Sequence, residues 1–579
     1  MKRNSASLNG LWNFVIDPHD RGEDWAEYWK EHADPSHAFM KGFDVIQWDQ
    51  VTVPSSWNRE GTGLEWYQGI GWYARHFELA DYRDGKRSFL RFESVNYRAS
   101  VWLNGSLLGT HEGGYTPFEF ECTGAVRTGK NYLCVSADNR MPRDSTVPVV
   151  GWMNYGGIIR DVSLYSTGPG KIAGITILSP APEQSGRGEI TVAVKACGAA
   201  EPDRYRAVYT VKGPGGGTAA SGSVSIAGDG DTIFTVAVSE PELWSPENPA
   251  LYRLELELFS GDGDSGPAVP SDRITETFGF RTVGLSNDGF SLNGERIYIR
   301  GISRHDEHPA YGRTVPENQI RSDLEDIKRL GMNAVRLVHY PHDPKVLDLA
   351  DQLGLLVWCE PPVYWHADFS LEKTRKLYLQ QTGEMVTRDI NHPSVFVWGV
   401  GNEIHTQRDE TVSAMAAVQR MVTRLDSTRP SVFASWFLKP EENRALDLFP
   451  CVCVNKYAGW YGENMDRLAD DLRNLHAHQP DKPVLISEFG AGAIRGIRGP
   501  DTERWNEDYQ SRVILENLKT FKTLSFVAGF FIWTYADFKD PSRVHSIYEA
   551  NCNNKGITDL FRRPKKAYRD IKAYLEESE

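Results

Sequence analysis

Two apolar runs in this chain end in glutamate. VFVWGVGNE (395–403) emerges into Asn402 and Glu403, and PVLISEFG (483–490) emerges into Glu488. A buried strand that ends in a carboxylate puts a charge where desolvation is costly unless a partner or a reaction uses it. Two such placements predict paired-carboxylate chemistry. With the groups about 5 Å apart, one holds a proton while the other stays ionised and attacks an anomeric carbon, the pattern of retaining double displacement. On that expectation Glu403 protonates the leaving oxygen and later activates water, and Glu488 is the nucleophile. Asn402 is placed to orient a sugar hydroxyl beside the acid, and Tyr457, ending CVCVNKY (451–457), to donate its hydroxyl to Glu488. The competing reading makes each Glu the partner of a local Arg or a loop cap, and Tyr457 a packing residue.

A second constellation lies in NCNNKG (551–556), where Asn553 and Lys555 share a short loop ending in Gly. An ammonium with an amide beside it can hold and orient an anion such as a carboxylate. The same residue types also make ordinary turns. HDEH (305–308) contains metal-binding residue types but no complete ligand set, and structural or sugar contacts are the preferred reading. No metal is expected. No complete dinucleotide or phosphate-loop glycine motif occurs, so no cofactor is expected either.

These residues need elements to carry them. Residues 1–180 contain alternating strand candidates such as RSFLRFESV (87–95) and NYLCVSADN (131–139), separated by NG and GG turns, and predict a jelly-roll-like antiparallel β-sandwich. Residues 181–281 repeat that texture in EITVAVKA (189–196) and LYRLELELF (251–259) and predict a smaller immunoglobulin-like sandwich. From 282 to 579, eight strand candidates alternate with helices such as ENQIRSDLEDIKRLG (317–331) and DETVSAMAAVQRMVTRL (409–425). The strands begin at 296, 333, 355, 395, 431, 451, 483 and 528. That alternation predicts a (β/α)8 TIM barrel, whose strand C-terminal ends form the active-site mouth.

Length and composition bound the alternatives. At 579 residues the chain is long enough for two to four domains, and its 40% hydrophobic content supplies their cores. A net charge of -14 repels phosphate backbones and anionic surfaces, so neither nucleic acid nor membrane is expected as a partner. Seven Cys, an odd number, fit a reducing compartment, and no uninterrupted 18-residue apolar segment occurs, so a cytoplasmic location is expected. Cys451 and Cys453 alternate within an apolar run and are expected to be buried. A homo-oligomer is compatible with the sequence.

Further stretches carry a resemblance. VPSSWN (53–58), GWY (71–73), VWLNG (101–105), SRHDEHPAYGR (303–313), NAVRLVHYP (333–341), NHPSVFVWGVGNE (391–403) and ISEFG (486–490) resemble glycoside hydrolase family 2, which contains β-galactosidases and β-glucuronidases. The resemblance covers essentially the whole chain and implies the same acid/base and nucleophile roles for Glu403 and Glu488. NYGGIIR (154–160), NKYAGWY (455–461), WNEDYQ (505–510), WTYADF (533–538) and NCNNKG are more similar to β-glucuronidases. This closer likeness implies that Asn553 and Lys555 grip a substrate carboxylate, with His339, Tyr457, Tyr461 and Trp533 around the sugar.

The likeness breaks at two positions near the sugar's C4 side: Gly151 stands where that branch has Asp, and Glu549 where it has Arg. The expectation drawn from them is that Glu549 accepts a hydrogen bond from an axial 4-hydroxyl, giving a retaining, exo-acting β-hexuronidase that prefers terminal β-D-galacturonides. The alternative has Glu549 turned away and paired with Arg543, and the enzyme a β-glucuronidase. A β-galactosidase and a noncatalytic carbohydrate-binding protein are weaker readings. The stretch after CEPPVYWHADFS (359–370) is shorter than the lid-like insertion of some bacterial β-glucuronidases.

Overall fold

The structure, a computed structural model, describes residues 2–24, 26–31, 48–59, 61–80, 85–182, 186–198, 205–227, 230–260, 269–436, 439–544 and 547–577. In the first unit a six-stranded antiparallel sheet runs in the order Asp49–Val53, Gly10–Asp17, Ile70–Leu79, Gly129–Asp138, Arg98–Leu103 and Ser106–Glu112. A four-stranded sheet of Ala6–Ser7, Val162–Thr167, Arg87–Phe92 and Phe118–Glu121 closes over it. Trp12, Phe14, Leu90, Phe92, Val101 and Leu133 fill the space between them. The second sandwich joins sheets of three and four strands. Its Tyr252–Ser260 strand shows why the pattern works: Leu254, Leu256 and Leu258 are buried while Arg253 faces water, the period of two of a half-buried strand.

The third unit is a closed parallel barrel of β1 (Ile299–His305), β2 (Ala334–Val338), β3 (Leu356–Cys359), β4 (Val395–Asn402), β5 (Ser431–Trp436), β6 (Val452–Asn455), β7 (Val484–Phe489) and β8 (Val527–Ile532). The first strand starts later than the sequence pattern implies, because Glu295–Ile297 pairs instead with Gly289–Leu292 in a small sheet below the barrel. Phe290 and Leu292 of that sheet join Trp358, Phe396 and Phe531 in one apolar cluster that closes the barrel floor. Outside lie helices α1 (Glu317–Arg329), α2 (Pro344–Leu353), α3 (Glu372–Asp389), α4 (Asp409–Leu425), α5 (Leu468–His478), α6 (Glu507–Lys522) and α7 (Lys566–Glu576). Among the described residues, the crossover after β5 holds only the 3-10 turn Pro440–Glu442.

Both sandwiches are fastened to the barrel. Asn391 accepts from Ile177 N at 2.8 Å and donates to Ile175 O at 3.1 Å. Arg160 of the first sandwich donates to Pro341 O at 2.8 Å, and Arg313 of the barrel donates to Met153 O at 3.2 Å. Next to Met153, Trp152 packs against His339, with ring centroids 5.8 Å apart, and against Tyr364 at 5.2 Å. The first sandwich thus forms part of the wall at the barrel's C-terminal mouth. No helix of the described residues is long and apolar enough to cross a membrane.

Candidate active site

The barrel mouth opens into a cleft of about 470 Å³ whose lining includes Glu403, Glu488, Asn402, His339, Tyr457, Tyr461, Trp533, Asn553 and Lys555. Glu403 immediately follows β4 and Glu488 lies in β7, and both depend on an irregular ladder. Between Gly399 and Asn402, β4 uses three steps where β5 uses two, and β7 does the same against β8 between Ile486 and Phe489. Each carboxylate therefore sits at a bulge, which re-aims side chains that a regular pleat would alternate between faces. The backbone is also strained here: Glu403, Tyr461 and Trp365 have φ of 50°, 45° and 42°. Non-glycine residues in that region cost roughly 1–3 kcal/mol each and concentrate at functional sites.

The two carboxylates have different surroundings. Glu488 accepts from the Arg336 guanidinium at 2.8 Å on one oxygen and from the Tyr457 hydroxyl at 2.7 Å on the other. Arg336, fully buried in β2, also donates to Glu360 and, at 2.9 Å, to Asn402 Oδ1. Glu403 has no cationic partner among the described residues. It accepts from Asn455 Nδ2 at 2.7 Å and from the Trp365 indole at 2.8 Å. Burial, and then the charge of Glu488, push its pKa up to about 7 against these hydrogen bonds. One carboxylate thus has a fixed cation and the other holds a proton near neutrality, the division that acid/base plus nucleophile chemistry requires.

Around the pair, His339 Nδ1 meets Glu360 at 2.7 Å and its ring stacks on Trp533 at 5.0 Å and 21°. Burial works against ionisation of Glu360, but Arg336 and His339 hold its carboxyl below the ordinary range. At the far side, Lys555 donates to Asn553 Oδ1 at 2.9 Å, and both residues are only 3% exposed. Burial lowers the Lys555 pKa. The ammonium also lies 5.2 Å from the centre of the Tyr461 ring.

Glu549 is placed elsewhere. Its carboxylate accepts from Arg543 Nη1 at 3.0 Å, and it is Arg543, not Glu549, that lines the cleft. A sugar contact through Glu549 therefore lacks geometric support, because one of its oxygens is held by Arg543 and the residue is not part of the cleft lining. Gly151 does line the cleft, and a Cβ there would lie 2.8 Å from the Tyr364 hydroxyl. HDEH does not converge: His305 Nδ1 meets the Tyr340 hydroxyl at 3.0 Å, while Asp306 accepts from Arg304 at 3.1 Å.

Arg336, Glu360, Trp365, Trp436, Asn455 and Asp540 were not singled out by sequence reasoning. Arg336 carried a readable signal, a cation inside the apolar run NAVRLV. Asn455, two residues before Tyr457 in NKY, also carried one. Trp365 and Asp540 lie in loop segments whose path no residue pattern marked, and Trp436 ends β5, where an aromatic reads as ordinary strand packing.

Comparisons with known proteins place all three units in one family. Residues 283–578 match the profile described as Glycosyl hydrolases family 2, TIM barrel domain. Residues 5–168 match the sugar binding domain of the same family, and residues 171–281 match the profile Glycosyl hydrolases family 2. A β-glucuronidase of Paenibacillus borealis is 28% identical, covering 99% of this chain and 97% of the relative. The structure of a β-galacturonidase from Eisenbergiella tayi bound to galacturonate superposes with a TM-score of 0.83 at 29% identity, covering 99% and 97% of the two chains. That of Bifidobacterium dentium β-glucuronidase complexed with coumarin-3-O-glucuronide gives 0.88 at 25% identity, with coverage of 99% and 97%.

Proposed function

From the premise that the chain belongs to glycosyl hydrolases family 2 and is a retaining O-glycoside hydrolase, we propose that it is a β-hexuronidase acting on terminal β-linked uronides. The observation that carries this reading is that buried Lys555 and Asn553 line the same cleft as Glu403 and Glu488. A uronic acid brings a carboxylate whose desolvation must be offset by charge and directed hydrogen bonds. Lys555 supplies the charge and Asn553 the orientation, and a neutral hexose has no group to use that charge.

In the proposed mechanism, protonated Glu403 donates to the glycosidic oxygen while Glu488 attacks the anomeric carbon. The C1–O bond to the leaving group breaks, a glycosyl ester to Glu488 forms, and the proton leaves with the aglycone. Glu403, now ionised, takes a proton from water, which displaces Glu488. Asn402, fixed through its Oδ1 by Arg336, turns its amide donors to the sugar, and His339, Tyr457, Tyr461 and Trp533 surround the ring.

Of the two uronides, β-D-glucuronide is the preferred substrate. The curated relatives with near-complete coverage are named β-glucuronidases, and the feature that favoured an axial 4-hydroxyl, Glu549, is bound to Arg543 outside the cleft lining. The galacturonide reading keeps one observation, the lack of a polar side chain at Gly151 in the cleft lining, together with the Eisenbergiella relative. Hydrolysis of matched aryl β-D-glucuronide, β-D-galacturonide and β-D-galactoside, compared by kcat/KM, tests both levels. The expected order is glucuronide, galacturonide, galactoside, with uronides favoured by about 10–100-fold, the size of one charge-assisted hydrogen bond. Galacturonide first would overturn the epimer, and galactoside equal to the uronides would overturn the uronide reading itself.

A further inference from the structure

The position of Arg543 has a consequence for how the cleft holds an anion. Its loop is clipped to the one that carries Lys555: Phe538 pairs with Asn553, Lys539 pairs with Cys552, and Asp540 N donates to Asn551 O at 2.8 Å. Asn551 N in turn donates to Arg543 O at 3.0 Å. The two cations are therefore carried on one clipped unit. A guanidinium has five N–H donors. Nε of Arg543 donates to Asp540 at 3.1 Å, one proton of Nη1 to Glu549 at 3.0 Å, and one of Nη2 to the Tyr461 hydroxyl at 3.1 Å. Among the described residues that leaves one donor on each terminal nitrogen of a cation that lines the cleft. Tyr461 lies between this group and the Lys555 ammonium. Two anchoring carboxylates fix the plane of the fork, and a fixed planar fork suits a carboxylate better than a mobile point charge.

We infer that Arg543 is a second cationic contact for the carboxylate of the sugar, and that Asp540 and Glu549 are positioning residues that act through it. The inference rests on the uronide reading. It gives Glu549 a part in substrate selection without touching substrate, and it makes the anion site bipartite, with Lys555 and Arg543 flanking Tyr461.

The test is a double-mutant cycle of Arg543→Ala and Glu549→Gln, with Arg543→Lys and Lys555→Met alongside. kcat and KM are measured separately on the preferred aryl uronide and on the matched hexoside, and thermal midpoints report folding. Arg543→Ala is expected to lower the uronide-to-hexoside ratio of kcat/KM by about 10-fold, mostly through KM, as loss of one charge-assisted contact would. Glu549→Gln should do so by a smaller factor, and Arg543→Lys should recover part of the loss. Because Glu549 acts through Arg543, the double variant should match Arg543→Ala alone. Additive effects would overturn the inference by giving Glu549 its own contact. An unchanged ratio in Arg543→Ala, while Lys555→Met abolishes the preference, would overturn the role of Arg543 and keep the uronide reading. A wild-type protein with no uronide preference would overturn both.

Discussion

At the scale of single residues, the division of labour proposed for Glu403 and Glu488 rests on what each is given to hold. Glu488 has Arg336 and Tyr457, while Glu403 has an amide, an indole and a pKa near 7. An acid must be protonated in the free enzyme to act, so kcat/KM should be level below about 7 and fall above it, tenfold per pH unit in the limit. Asn455→Ala removes a donor that favours the ionised form of Glu403, so the alkaline limb of the pH–rate profile should move upward. A profile flat from pH 6 to 9 would sink the acid assignment. Both glutamates were legible in the sequence because a strand that is apolar up to its last residue leaves few uses for a terminal carboxylate. Glu549 was legible as a departure but not as a direction: whether it faced a sugar or Arg543 depended on a loop path that no periodicity encodes.

At the scale of elements, the eight strands could be read from continuous apolar runs, which burial on both strand faces forces, and the helices α1 and α4 from helical spacing. The bulges in β4 and β7 could not, because an extra residue in a ladder changes no composition. Gly401 is the trace that β4 leaves. Its φ is 147° and a Cβ there would approach Val363 O to 3.0 Å. Gly401→Ala should therefore cost about 1–3 kcal/mol in urea unfolding, the range for a residue forced into a sparsely populated backbone region. It should lower kcat more than its stability loss suggests, because Asn402 and Glu403 follow directly. Normal kcat with reduced stability would mean that the bulge is not what aims the acid.

At the scale of the whole molecule, the protein carries buried acids that favour their neutral forms. Burial raises Glu403, Glu307 and Asp537 each to about 7, and His392, paired with Asp351, is raised to about 8 although burial opposes it. In each case the folded chain holds a proton that the unfolded chain has released, so the stabilisation is lost as pH rises through those values. The thermal midpoint should accordingly fall as pH rises from about 4.5 to about 8, the acids contributing up to about 7 and His392 between about 6.5 and 8, and Glu307→Gln, outside the cleft lining, should flatten the part of the slope below about 7. A midpoint that rises over the same interval would contradict the burial of these groups. The sequence showed three units in the right order, yet it gave no sign that Trp152, from the first of them, would pack beside His339 and Tyr364. The chemical unit is therefore not coextensive with any stretch that chain continuity would cut out. A chimera joining this barrel to another sandwich would inherit both glutamates and still lack one side of its own vessel, so recombination in this architecture has to exchange the barrel and its first sandwich together.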